Sequence, residues 1–356
     1  MKRFLALIVL VMFVFALGCE KLQSPTAPTP QESQQQALSF DKKAVDAAQA
    51  KLQALSAGLQ DMLKQRQKAN LSKSAAAAPA AASGKITVPD DYPTIQQAVD
   101  AATPGTKIKV KAGVYTEVVV IDVPEVRVTA EGAVTVKGGF AITADKVMLD
   151  EFANIEPMSN IVLGFNVGIL VSGQSTASPV HEVEIKDNKV TGGDVGIGLL
   201  YASNCTVKGN KTADATTIGG FALQDADGNV LEGNVSRGAF VGIFFSFGCD
   251  NNQIRGNKCN DNAVGILLRG TGNHLSNNAC NNNTLFGIVV VDASDNTIGS
   301  GNTGNNNGLE GLHLEPDAVN NVVKRNTFLG NTNFDINNLG SGNTFIRNKA
   351  NTTNGV

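Results

Sequence analysis

NQIRGN at 252–257 and NHLSNN at 273–278 are one phrase written twice, an asparagine and an apolar centre followed by polar residues and a second asparagine. The phrase returns as VEIKDN (183–188), CTVKGN (205–210), NVLEGN (229–234), NVVKRN (321–326) and NTFIRN (343–348), and more loosely as TIGSGN (297–302). Its final residues are Asn188, Asn210, Asn234, Asn257, Asn278, Asn302, Asn326 and Asn348, and subtracting successive numbers gives 22, 24, 23, 21, 24, 24 and 22. Such a period belongs to a solenoid, and it sets the architecture ahead of any assignment of single elements.

A second marker keeps the same step: Gly196-Ile197, Gly220-Phe221, Gly242-Ile243, Gly265-Ile266, Gly287-Ile288, Gly311-Leu312 and Asp335-Ile336. After it, apolar residues alternate, as in Ile243 and Phe245 or Ile266 and Leu268. Alternation of that kind is a strand with one buried face. Each coil therefore holds at least two short strands separated by Gly, Asn and Asp, with no helix-length apolar run. The expected fold is an all-β solenoid, a single-stranded right-handed parallel β-helix of about ten coils, each adding ~4.8 Å along the axis.

Asparagine suits a bend that approaches the left-handed region. If the periodic set also points inward, each amide can donate to the carbonyl of the next, forming a ladder. That reading is preferred for the eight in phase, whereas the surplus in NNN at 281–283 and 305–307 is expected to be exposed turn. Hydrophobic residues at 42%, 37 glycines, 5% aromatics and no tryptophan suit a narrow stacked core. The net charge of −3 and the lack of a basic stripe with interleaved aromatics exclude a nucleic-acid partner.

The chain opens with Lys2 and Arg3 before an apolar run from Phe4 to Leu17, short for a membrane span and apt for an export signal over 1–18. Ala16-Leu17-Gly18-Cys19 resembles a bacterial lipobox. The resemblance implies acylation of Cys19, a lipid bilayer as partner and an outer-membrane location on the periplasmic or cell-surface face. Residues 19–40 read as a Pro/Gln/Ser-rich tether. Residues 41–70 read as an amphipathic helix whose short heptad seam is Val45, Ala48, Leu52, Leu55, Leu59 and Met62. Self-association through 45–62 and packing against the chain's own solenoid both remain open for it. An Ala/Pro linker at 71–84 precedes the repeats of 85–356.

In ITVPDDYPTIQQAVDAATPGTKIKVKAGVYTEVVVID (86–122), Thr94 begins a capping-box pattern, and Ile95, Ala98, Val99 and Ala102 line one helical face. A short helix there is expected to plug the open end of the solenoid. The stretch resembles the opening of pectin-lyase-like β-helix proteins, including pectin methylesterases and NosD-like periplasmic proteins. The catalytic motifs that this resemblance implies are incomplete. No Asp-x-x-Phe-Gly or Gly-His-Gly is found, the Asn-x-Asp triplet at Asn333–Asp335 and the Arg-x-Lys triplets at Arg66–Lys68 and Arg347–Lys349 stand without that histidine motif, and Gly113-Val114-Tyr115-Thr116-Glu117 matches a structural signature.

With the residue after each glycine set inward, the outward positions of that strand carry an apolar stripe from Ala222 through Phe244, Leu267 and Val289, with Arg269, His313 and Glu315 beside it. Phe244, Leu267, Arg269, Val289, His313 and Glu315 are thus the expected ligand or partner surface, to be covered by the helix of 45–62, a second copy or a ligand. No catalytic residue, cofactor or metal site is expected. Asp225–Asn229 reads as an Asx turn rather than a calcium loop, and the three histidines are mutually remote. Cys259 and Cys280, each two residues after a periodic asparagine, are expected to stack as buried thiols rather than form a disulfide. The functional expectation is an envelope-anchored binding module for a polysaccharide or envelope protein. A polysaccharide-active enzyme and a structural assembly protein are the alternatives.

Overall fold

The computed structural model describes residues 84–157 and 166–356 throughout and eleven positions between 43 and 64. The export signal, Cys19, the tether, the linker before residue 84 and the seam positions other than Ala48 lie outside the described residues.

The repeat coils into a parallel solenoid of about twelve turns, two more than the period suggested. Every strand pair joins one coil to the next in parallel register. One wall stacks Val167–Ser172, Val195–Leu200, Gly219–Gln224, Val241–Phe245, Val264–Thr271, Phe286–Ser294 and Glu310–Leu314. A second stacks the centres of the quoted motif, from Glu184–Lys186 to Thr344–Ile346. A third runs from Lys189–Thr191 through Lys258–Cys259. Inward residues such as Ile185, Val207, Leu231, Ile254, Ile266 and Ile288 are buried in one continuous core. In that core each large aliphatic side chain gains on the order of 1.5–3 kcal/mol from leaving water.

The corners explain the asparagines, with two corrections. The residue in the left-handed region is the one before each ladder asparagine: Asp187 (φ 52°), Gly209, Gly233, Gly256, Asn277, Gly301, Arg325 and Arg347. The ladder asparagine itself turns inward. Its Oδ1 accepts from both the backbone N and the Nδ2 of the asparagine one coil earlier, with amide-to-amide distances of 2.9–3.3 Å from Asn188 to Asn348. Its Nδ2 also donates to a carbonyl, as Asn257 does to Leu231 O at 2.9 Å. The second correction is that the described residues hold three such ladders. Asn229, Asn252, Asn273, Asn296, Asn321 and Asn343 form one at the next corner. Asn262, Asn283, Asn307 and Asn331 form another, which Asp335 closes. Asn283 and Asn307, expected to be exposed turn, are buried, and so is Asn229, expected in an Asx turn. Only the middle residues of those triplets, Asn282 and Asn306, are the exposed left-handed ones.

The glycine marker answers a different need. A Cβ on Gly265 would lie 2.5 Å from Gly287 O and 2.7 Å from the Cys280 Cβ, so neighbouring corners close only around hydrogen. Cys259 and Cys280 are free, buried and stacked on adjacent coils.

At the open end, the helix Ile95–Asp100 plugs the core with Ile95, Ala98 and Val99. Thr94 Oγ1 accepts from Gln97 N at 3.1 Å, and both Glu117 oxygens accept, from Ile95 N and Gln96 N at 2.9 Å each. The last residue of the GVYTE signature is thus the tie between plug and first coil, which satisfies donors that a helix start leaves unpaired.

Candidate functional site

The register places Ala222, Phe244, Leu267, Val289 and His313 outward in one column, and Gln224, Ser246, Arg269 and Glu315 lie outward beside it. As an accessible ligand surface, this set needs correcting. Phe244, Leu267, Arg269 and Val289 are 0% exposed, His313 is 4% exposed, and Glu315 is half-buried. The described part of the cover is the chain's own helix: all eleven described positions between 43 and 64 are helical, and Ala48 is buried. Asp46 Oδ1 lies 3.3 Å from the Arg269 guanidinium, whereas Lys64 shares a cavity with Asp122, Thr143 and Ser172 on the first coils. From 46 to 64 a helix spans about 27 Å. The five coil steps from Thr143 to Arg269 span about 24 Å. The strap therefore runs antiparallel to the growth of the solenoid along this wall.

Arg269 also meets Asp292 Oδ2 at 3.1 Å, and its guanidinium stacks 4.4 Å above the Phe247 ring. Two coils beyond Arg269, His313 Nδ1 lies 2.5 Å from Glu310 Oε2 and its Nε2 faces Glu315 Oε1 at 3.2 Å. Asn333 and Asn337 donate to the other Glu310 oxygen at 2.9 and 3.0 Å. Burial pulls the imidazole pKa down, but the two carboxylates outweigh it and raise it to about 9. A histidine held charged between two acids is a poor base. The cluster closes the end of the buried wall, with Glu315 its half-buried outer member.

The open face is the second wall. There a groove of about 610 Å³ is lined by Arg127, Met148, Glu184 and Thr206, in register on successive coils, with Lys186 ion-paired to Glu184. Glu125, Lys146, Glu182 and Asn204 form its rim, and all four are left-handed, at φ 61°, 58°, 57° and 54°. On later coils that same corner is taken by Gly228, Asn251, Gly272, Asp295, Asn320 and Gly342. A glutamate or lysine there costs about 1–2 kcal/mol that glycine avoids. The rim thus departs from turn propensity only where it borders the groove. Three cations and three acids balance the groove and present donors and acceptors together.

Sequence reasoning missed this site because its residues are ordinary surface types on unrelated-looking segments. The break in the Asn/Gly corner pattern was the signal available.

The fold defines the class first: a right-handed parallel β-helix protein. Similar solved structures include the Azotobacter vinelandii mannuronan C-5 epimerase AlgE6 A-module, with 16% identity over 72% of this chain and 90% of that chain and a TM-score of 0.52. The AlgE4 A-module from the same organism gives 14%, 72%, 91% and 0.53, and the periplasmic alginate epimerase AlgG gives 16%, 75%, 84% and 0.50. At such identities the likeness establishes the fold alone. No curated protein matches the chain. The family described as periplasmic copper-binding protein (NosD) matches residues 105–269 and again 242–355, together 251 of the 356 residues. The chain belongs to the NosD family.

The residues present do not fit a copper ion. His181 Nδ1 is engaged by Ser203 Oγ at 2.6 Å, His274 lies on the second wall and His313 is enclosed by carboxylates. Burial pushes the Cys205 thiol up to about 12 and raises those of Cys249 and Cys280, so none offers a thiolate. No group of three or more His, Cys, Asp or Glu is placed for a metal among the described residues.

Proposed function

We propose that this chain is an exported, envelope-anchored module that binds carbohydrate in the groove of the second wall without turning it over. The observation that carries this reading is the open, charge-balanced groove at Arg127–Thr206, whose strained rim departs from turn chemistry where the first wall is closed by the strap. Mixed donors and acceptors in a shallow trough suit a hydroxyl-rich chain. A periplasmic family and a fold shared with alginate epimerases support the substrate class, and the incomplete set of catalytic motifs favours binding over chemistry. Acylation of Cys19 and an outer-membrane location complete the reading, with the 19–40 tether as spacer.

The test immobilises the full chain, passes a panel of polysaccharides over it, and scores retention together with new reducing ends or unsaturated products. Retention without products supports the module; products shift the chain to the polysaccharide-active enzymes. Neither result leaves the groove without a carbohydrate role. Radiolabelled fatty acid that remains on a Cys19→Ala variant rules out the proposed anchor.

A further inference from the structure

Lys85, Lys107 and Arg127 are in-register partners on the first three coils, pointing outward in one row at the ordinary strand spacing of about 4.8 Å. Like charges set directly opposite one another destabilise a sheet. Elsewhere on this face each cation has an acid beside it: Lys109 pairs with Glu131, Lys111 with Asp90, Lys186, in register with Lys208, with Glu184, and Lys208 and Arg255 share Glu232. All three members of the row are exposed, and none makes an ion pair recorded among the described residues. The row leads without a break into the groove, because Arg127 lines it and its next partner is Met148. The concentration is local, since the chain as a whole carries −3.

We propose that this row is a carboxylate-binding edge that gives the groove an acidic polysaccharide, a chain of uronate-type residues, as its ligand. The proposal rests on the carbohydrate reading above. A flexible polyanion with one charge per sugar presents successive carboxylates to successive rungs, and its hydroxyls meet the balanced Lys186–Glu184 floor beyond. A nucleic acid suits the row less well: neither the row nor the groove carries an aromatic ring on which bases stack.

The experiment compares the full chain with a Lys85→Gln/Lys107→Gln/Arg127→Gln variant and with a Lys109→Gln/Lys111→Gln/Lys208→Gln control that removes equal charge from paired positions of the same face. Probes are polygalacturonate, polymannuronate, a neutral dextran and anionic phospholipid vesicles, with circular dichroism melts as a check on folding. The expected result is retention of a polyuronate, a loss of about tenfold in the row variant at low ionic strength, and a much smaller loss in the control. Equal loss in both variants overturns the row. Retention of dextran but not of polyuronate overturns the acidic ligand while leaving the carbohydrate reading intact. Failure to retain any polysaccharide overturns both, and preferential retention by the vesicles assigns the row to a lipid surface instead.

Discussion

The guanidinium of Arg269, wholly buried, lies 3.3 Å from the carboxylate of Asp46, 223 residues earlier in the chain. The contact joins the strap to the solenoid at the one strongly charged side chain of an otherwise apolar and amide-bearing stretch of wall. Asp46 is about half exposed, so the pair itself contributes little, on the order of 0.5 kcal/mol. Arg269→Ala is expected to cost about 3–5 kcal/mol, because it takes a fully buried guanidinium from beside Asp292 and opens a gap under the strap. Asp46→Ala should cost under about 1 kcal/mol. Urea unfolding of both variants checks this, and equal losses would show that the strap carries the stability of Arg269.

Interior ladder rungs should matter more than terminal ones. Asn257 accepts twice from Asn234 and donates to Leu231 O and Asn278 Oδ1. Asn257→Leu orphans several buried groups, at roughly 1–3 kcal/mol each before relaxation. Asn348, half-buried at the end of its column, should cost about 1 kcal/mol on the same replacement. Comparable melting shifts for the two would count against cooperative stacking.

Gly265→Ala places a methyl group 2.5 Å from a backbone oxygen. Since neither neighbour is the free end of a side chain, the coil must open, and a loss above about 3 kcal/mol is expected. Soluble, undiminished protein would mean that the corner tolerates a wider spacing.

His313 has a pKa raised from 6.5 to about 9 in the folded state. Its contribution is therefore complete below about pH 6.5 and fades as pH climbs through about 9. Stability measured across that window should fall in the native sequence and fall less in His313→Gln. Parallel slopes would remove the imidazole from the pH response.

The thiols of Cys205, Cys249, Cys259 and Cys280 are buried, and burial raises the pKa of Cys205, Cys249 and Cys280. A thiol reagent at pH 8 should label none of the four while the protein is folded and all four in guanidinium. Rapid labelling of Cys259 in the native state would indicate that the third wall opens locally.

Phase made the fold readable. Asparagines that recur every 21–24 residues report the stacking directly, and the alternation after each glycine reports which side chains turn inward. The second ladder stands in the same strings, as the leading letter of NVLEGN and NQIRGN, but Val183 and Cys205 take that place in the first two coils, so its phase is shorter than that of the trailing asparagine. The site was harder to read for a physical reason. Alternation distinguishes in from out but does not say what covers an outward stripe, so for Phe244, Leu267 and Val289 the sequence leaves the helix of 45–62, a second copy and a ligand as equal covers, and the structure places the helix there. Arg127, Lys146 and Glu182 carried no motif and became a group only once successive coils were superposed.

The strap has a mechanical consequence. Because the helix meets the tube near Arg269 and runs back toward the first coils, any pull transmitted through residue 43 arrives at the waist of the rod. Whatever takes hold of the chain there acts on its middle and leaves both tips free.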